Sequence, residues 1–135
     1  MIYTKNYKVY YEDTDAGGVV YYANYLKFLE RGRSDFLSSI GISQVELGRG
    51  GIFFVVKKCN VEYFASAKLE DEACVYSQIS EVGKVSIEFL QEVRVLETLC
   101  VKAFVKIACV KLVNGVFKPT AIPLEIATQI KLLQK

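Results

Sequence analysis

The sequence predicts an α+β domain in which an antiparallel sheet of about five strands wraps round one long central helix. Three observations lead there. A stretch of helical period, Tyr22 to about Ile40, lies between the Gly17-Gly18 pair and Gly41. Four long runs rich in β-branched and aromatic residues follow it, separated by turn signals. A helix with one apolar stripe and a sheet with one apolar face each need a cover, and packing one on the other provides both.

In chain order, Tyr7 to Tyr11 (YKVYY) is aromatic and β-branched and reads as a strand. From Tyr22 the period becomes helical, with Tyr22, Tyr25, Leu26, Leu29, Phe36, Leu37 and Ile40 on one side. Lys27, Glu30, Arg31, Ser34, Asp35 and Ser38 fall mostly on the other side. Glu30 with Arg33 and Arg31 with Asp35 have the spacing of neighbours on a solvated helix face. Gly32, on or beside the stripe, lacks a side chain and lets the helix approach a sheet closely. Gly41 is placed to end the helix.

Ser43-Gln44-Val45-Glu46 has the pattern of a capping box, predicting a short second helix to Leu47 before Gly48, Gly50 and Gly51. Phe53, Val55, Cys59, Val61 and Tyr63 then alternate, with Lys57 breaking the pattern. Lys57 reads either as a bulge returning to solvent or, with Lys58, as a contact to phosphates or a subunit interface. Further strands run through Val75 and Ile79, Val85 to Val95, and Val101 to Cys109. Turns fall at Ala67 to Asp71, Gly83-Lys84, Glu97-Thr98 and Asn114-Gly115, the last a strong hairpin signal. Leu124 to Leu133 closes the chain with helical spacing.

The 135 residues, 52% hydrophobic and 24% charged, make a single domain spanning 1–135. A net charge of +2 without a stripe of Lys and Arg argues against nucleic acid. No apolar run approaches the roughly 20 residues a membrane span needs, and MIYTKNYKVYYEDTD has no apolar core of a signal peptide, so a cytoplasmic location is expected. Four cysteines without a C-x-x-C pair read as reduced, mostly buried thiols. The absence of His excludes His-based triads, Cys-His dyads and His-ligated zinc. A hydrolase built from this chain must use carboxylates and backbone.

The stretch Glu12 to Arg33, EDTDAGGVVYYANYLKFLERGR, supplies both. Asp13 and Asp15 stand in an acidic loop, and Gly17 and Gly18 permit a sharp fold or a close backbone approach. The helix start near Tyr22 offers unpaired N–H groups and a positive dipole end, suited to a developing oxyanion. The bland reading of Asp beside Gly is a turn or cap, and it is preferred for Asp13. A D-x-D metal site is the weakest alternative, since a hard cation wants more oxygen ligands than the sequence identifies.

This stretch resembles the signature of the 4-hydroxybenzoyl-CoA thioesterase family of hotdog-fold enzymes, closest to the YbgC-type acyl-CoA thioesterases linked to the Tol-Pal envelope system. The similarity continues through FFVVKKCNVEYFASAKLEDE (Phe53 to Glu72) and ends near PTAIP (Pro119 to Pro123). It implies the hotdog architecture and hydrolysis of an acyl-CoA to free acid and CoA, without a cofactor. Asp15 falls on the family's catalytic carboxylate, acting as base or nucleophile. The oxyanion donor falls on the N–H of Tyr22, assisted by Gly18 or Val19. YbgC-type proteins usually carry His where this chain has Tyr22, whereas the 4-hydroxybenzoyl-CoA enzymes can carry Tyr, so the role at 22 is assigned to its backbone and its ring is read as core or pocket wall. Gly17, Gly18, Val19 and Asn24 are placed against the substrate, with helix capping the preferred reading of Asn24. Lys57 and Lys58 are the candidates for CoA phosphates.

The resemblance also implies a homo-oligomer, a dimer or a tetramer of two dimers, with the site at the subunit boundary. Two other readings stand beside the enzyme. One is a binding module that holds acyl-CoA or acyl carrier protein without turnover, and the other is a structural partner of envelope proteins.

Overall fold

The computed structural model describes residues 1–134. Its elements are β1 (Ile2–Lys8), α1 (Tyr25–Ser39), α2 (Gln44–Arg49), β2 (Ile52–Tyr63), β3 (Glu72–Val82), β4 (Ser86–Val95), β5 (Thr98–Val113), β6 (Val116–Pro119) and α3 (Leu124–Leu133). The strands form one antiparallel sheet in the order β1-β3-β4-β5-β2. The sixth strand, β6, was not foreseen. It pairs with Val110 to Val113 of β5 just beyond the point where β4 stops at Ser86 opposite Ala108. The expected turn at Asn114-Gly115 makes that hairpin, and both residues have the positive φ it requires, 50° and 77°.

The first strand lies earlier than expected, at Ile2–Lys8 rather than Tyr7 to Tyr11. The reason is local. The N–H of Val9 bonds to the carbonyl of Asp71, and the N–H of Tyr10 is taken by the Asp13 carboxylate at 2.9 Å. The backbone therefore leaves the ladder and curls into a 3-10 turn at Tyr11–Asp13.

The long helix enters through a 3-10 turn, Tyr22–Asn24, and continues as α1. Its buried side is Tyr25, Phe28, Leu29, Gly32, Arg33, Phe36 and Leu37, so the stripe is turned towards Phe28 and Arg33 and away from Tyr22 and Leu26, which are exposed. Gly32 does what its position suggested. A Cβ built there would lie 2.6 Å from Val75 Cγ1 and 3.2 Å from Gln91 Nε2, closer than a side chain tolerates. At the C-terminus Gly41 takes φ +85°, its N–H bonds to Ser38 and the N–H of Ile42 to Leu37, satisfying carbonyls the helix leaves open. Ser43 Oγ accepts the Glu46 N–H at 3.2 Å and starts α2, which runs two residues past the expected Leu47.

Strand β2 carries the bulge proposed for Lys57. The register shifts between Val56, opposite Ile107, and Lys58, opposite Lys106. One extra residue reverses which side chains face the helix. Before it they are Ile52, Phe54 and Val56; after it, Cys59, Val61 and Tyr63, the partners of Val105, Ala103 and Val101. Phe53 and Val55, read as continuing the same face as Cys59, therefore lie on the opposite one.

The core joins α1 to the middle of the sheet through Phe28, Leu29 and Phe36 against Val75, Ile87 and Phe89. α3 adds Ile130 to it and ends at Leu133, the expected span. Cys100 and Cys109 are buried, Cys74 is half-buried and Cys59 is exposed, so burial holds for some of the free thiols only. Among the described residues no helix is long and apolar enough to cross a membrane.

Candidate active site

Asp15, Gly17, Gly18 and Val19 form one tight hairpin loop. The N–H of Asp15 bonds to the Val19 carbonyl at 2.9 Å, the N–H of Gly18 to the Asp15 carbonyl at 3.0 Å, and Thr14 bridges to Val20. Gly18 makes the reversal with φ +77°, a conformation that costs other residues strain. The loop is fastened to the segment before β3: Leu69 N–H bonds to the Gly18 carbonyl, Val20 N–H to the Ala67 carbonyl, and Val19 bridges to Lys68.

The two aspartates differ sharply. Asp13 is 3% exposed; it accepts the Tyr10 N–H at 2.9 Å and the Asn24 side-chain amide at 2.8 Å, while its carbonyl takes the Tyr21 N–H. Its valences are occupied by structure. Asp15 is exposed, and its carboxylate accepts a single bond, from the Gly17 N–H at 2.8 Å. It borders an open depression with Tyr11, Thr14, Ala16, Gly18 and Leu69. One oxygen is steadied, and the other accepts no bond among the described residues.

Asn24 does not cap the helix, as it was expected to. No side-chain cap bond is made there, and its amide is turned instead onto buried Asp13. A buried carboxylate that already receives a backbone N–H is a stronger acceptor than a neutral partner, and it draws the amide from the helix end. The pairing joins the loop to the helix entry. Between them, at the first position of the 3-10 turn, the Tyr22 N–H meets no protein acceptor among the described residues.

The Tyr22 side chain is 62% exposed and so is not part of the core. Its ring meets Tyr63 edge-on at 6.1 Å, and the Tyr63 hydroxyl donates to the Tyr22 carbonyl at 3.1 Å, tying the end of β2 to the helix entry. Beneath them Tyr25 is buried, and its hydroxyl accepts the Ala67 N–H at 2.9 Å. Burial raises the Tyr25 pKa, with the Ala67 N–H pulling the other way, so it remains a neutral phenol. Lys57 and Lys58 sit exposed at the β2 bulge and form no ion pair among the described residues.

The sequence reading missed Arg33. Cast as part of a solvated face, it is 8% exposed and donates to Gln91 Oε1 at 3.0 Å. The signal was present: Arg33 is four residues after Leu29, on the buried stripe. Its supposed partner Glu30 takes the Ser34 hydroxyl, and Asp35 takes the Tyr7 hydroxyl and Lys5.

A family model described as the thioesterase-like superfamily matches residues 9–130. The acyl-CoA thioesterase YbgC of Haemophilus influenzae is 44% identical over 120 residues, covering 88% of this chain and 87% of its own. The acyl-CoA thioester hydrolase YbgC of an Escherichia coli strain is 41% identical over 125 residues, 92% of each chain. The crystal structure of a probable thioesterase from Bartonella henselae superposes with a TM-score of 0.85 at 32% identity, covering 91% of this chain and all of that one.

Proposed function

The chain belongs to the thioesterase-like superfamily, and on that premise we propose that it hydrolyses acyl-CoA thioesters with Asp15 as the reacting carboxylate and the Tyr22 N–H as oxyanion donor. The enzyme is a hotdog-fold thioester hydrolase. What carries the residue assignment is the contrast between the aspartates: Asp13 is consumed by structure, and Asp15 stands exposed in a hydrogen-bonded loop with one oxygen unengaged.

Thioester hydrolysis asks little of a protein, because the carbonyl is reactive and the thiolate leaves readily. As base, Asp15 takes a proton from water while the water oxygen bonds to the thioester carbon. As nucleophile, its own oxygen forms that bond and water later releases the acid. In both routes the carbonyl electrons move to oxygen, where a fixed N–H stabilises them, and return as the carbon–sulfur bond breaks. Gly17, Gly18 and Val19 shape the wall beside the reacting carbon. Lys57 and Lys58 are the cations offered to CoA phosphates. Acyl carrier protein presents the same thioester on a protein and is a second possible donor of the acyl group. Activity belongs to a homo-oligomer, dimer or tetramer, in the cytoplasm.

The experiment is Asp15→Asn, assayed by CoA thiol release. The amide keeps the oxygen that receives the Gly17 N–H and removes the charge. Turnover should nearly vanish while the circular dichroism spectrum and CoA binding persist. An active Asp15→Asn enzyme would overturn the assignment.

A further inference from the structure

Arg33 has an unusual situation for a buried cation. It is 8% exposed, yet among the described residues no carboxylate lies within ion-pair distance, and its one side-chain bond goes to the neutral amide oxygen of Gln91. Gln91 is itself fixed, its amide nitrogen donating to the Leu29 carbonyl and to Ser77 Oγ, both at 2.9 Å. Burial draws the guanidinium pKa down, while Glu30 and the Cys59 thiol pull it up. Among the described residues no buried side-chain nitrogen or oxygen lacks a partner, so the donors of Arg33 that make no bond reach solvent and are open to a ligand.

The remaining donors of Arg33 look into a cleft between α1 and β2. Its walls are Leu37, Phe54, Val56 and Ile107, and Glu30 and Ser34 stand at the rim. At about 90 Å³ it admits a terminal group of a few heavy atoms. The strand that walls this cleft also reaches the helix entry. Tyr63 touches Tyr22 at one end, Cys59 lies beside Arg33, and Val56 and Phe54 line the far end, so β2 runs antiparallel along the helix. Eleven residues separate Tyr22 from Arg33, about 16 Å of helix at 1.5 Å per residue.

We propose that the acyl chain runs along β2 from the helix entry to this cleft and that Arg33 recognises an oxygen acceptor, hydroxyl or carboxylate, at the end of the acyl group distant from the thioester. The inference rests on the thioesterase reading above. A guanidinium presents its donors in a planar fork suited to such oxygens, and a chain end that displaces water from them without pairing them is disfavoured. Glu30 supports the Arg33 charge from beyond ion-pair distance. Its carboxylate holds the Ser34 hydroxyl at the rim and makes no ion pair with Arg33.

The test uses the full chain and three medium-chain acyl-CoAs of matched length, ending in methyl, hydroxyl or carboxylate. The wild type should favour both oxygen-bearing chains in kcat/KM by roughly ten- to a hundredfold, the worth of a hydrogen bond to a charged group. Arg33→Met should erase that preference through KM and leave the methyl-ended chain within about twofold, a split that loss of a purely structural residue does not produce. Arg33→Lys, which keeps the charge, should retain preference for the carboxylate and serves if Arg33→Met does not fold. Equal rates on all three chains in the wild type, or a parallel loss on all three in Arg33→Met, would overturn the inference. If no acyl-CoA is hydrolysed, the thioesterase reading fails instead. Calorimetric binding of the three corresponding free acids to wild type and Arg33→Met then decides the Arg33 site, by preference or its absence.

Discussion

The Asn24 side-chain amide donates to the buried Asp13 carboxylate at 2.8 Å, and through that bond the acidic loop and the helix entry hold one another in place. Asn24→Ala removes the donor and leaves Asp13 with an unanswered oxygen, at a cost of about 1–3 kcal/mol. The urea midpoint should fall accordingly. Turnover should fall with it, since Tyr22 lies two residues from the lost anchor. Asn24→Asp, which sets a second carboxylate against the first, should be worse. A midpoint unchanged by Asn24→Ala would show the bond to be incidental.

Gly18 and Tyr22 separate backbone from side chain. No neighbour would touch a Cβ at Gly18, but its φ of +77° is one that a β-branched residue resists. Gly18→Val should therefore reshape the loop and lower kcat, towards the ~10²–10³ lost when an oxyanion donor is removed. Tyr22→Phe deletes a hydroxyl that makes no hydrogen bond to the protein among the described residues, and should keep most of the activity. Steady-state kinetics on both variants gives the order, and the reverse order would transfer the role to the phenol.

The free edge of β2 leads to a third expectation. One side of this strand pairs with β5 and the other is open over twelve residues, with Val55, Val56 and Tyr63 exposed. The opposite edge, β1, is shorter and carries Lys5 and Lys8. Edge strands invite pairing, and a bulge with lysines guards only the middle of β2. The active species should be at least a dimer through this edge, and dissociation should abolish turnover while the chain stays folded. Sedimentation at assay concentration, read beside specific activity, checks it; a fully active monomer would refute it.

Much of this was legible because the relevant signals are local. Periodicity marked α1, Asn114-Gly115 marked a hairpin, Ser43 with Glu46 marked the start of α2, and the break at Lys57 marked a bulge. What a local signal leaves open is direction. A bulge can be suspected at Lys57, but which half of β2 keeps the expected face depends on the pairing with β5. Likewise Arg33 and Glu30 satisfy each other on paper at helical spacing, and it takes Gln91, fifty-eight residues away, to draw the arginine inwards. Asp13 and Asp15 stand two residues apart in one loop. Their division into a structural and an available carboxylate depends on the distant turn that brings Asn24 onto the first of them.

Gly32 gives the molecule a sensitivity that neither its core nor its loop shows alone. Helix and sheet are spaced there by hydrogen against Val75, with no side chain to act as a cushion. Any added carbon must tilt the whole rod, because an α-helix transmits displacement along its length. The Tyr22 amide lies at the entry of that rod, and the Arg33 guanidinium sits beside the pivot, one residue past it. A displacement at Gly32 would therefore reach the proposed oxyanion donor and the proposed Arg33 site together. The alignment of the proposed acyl track is in this sense set by an atom that is missing.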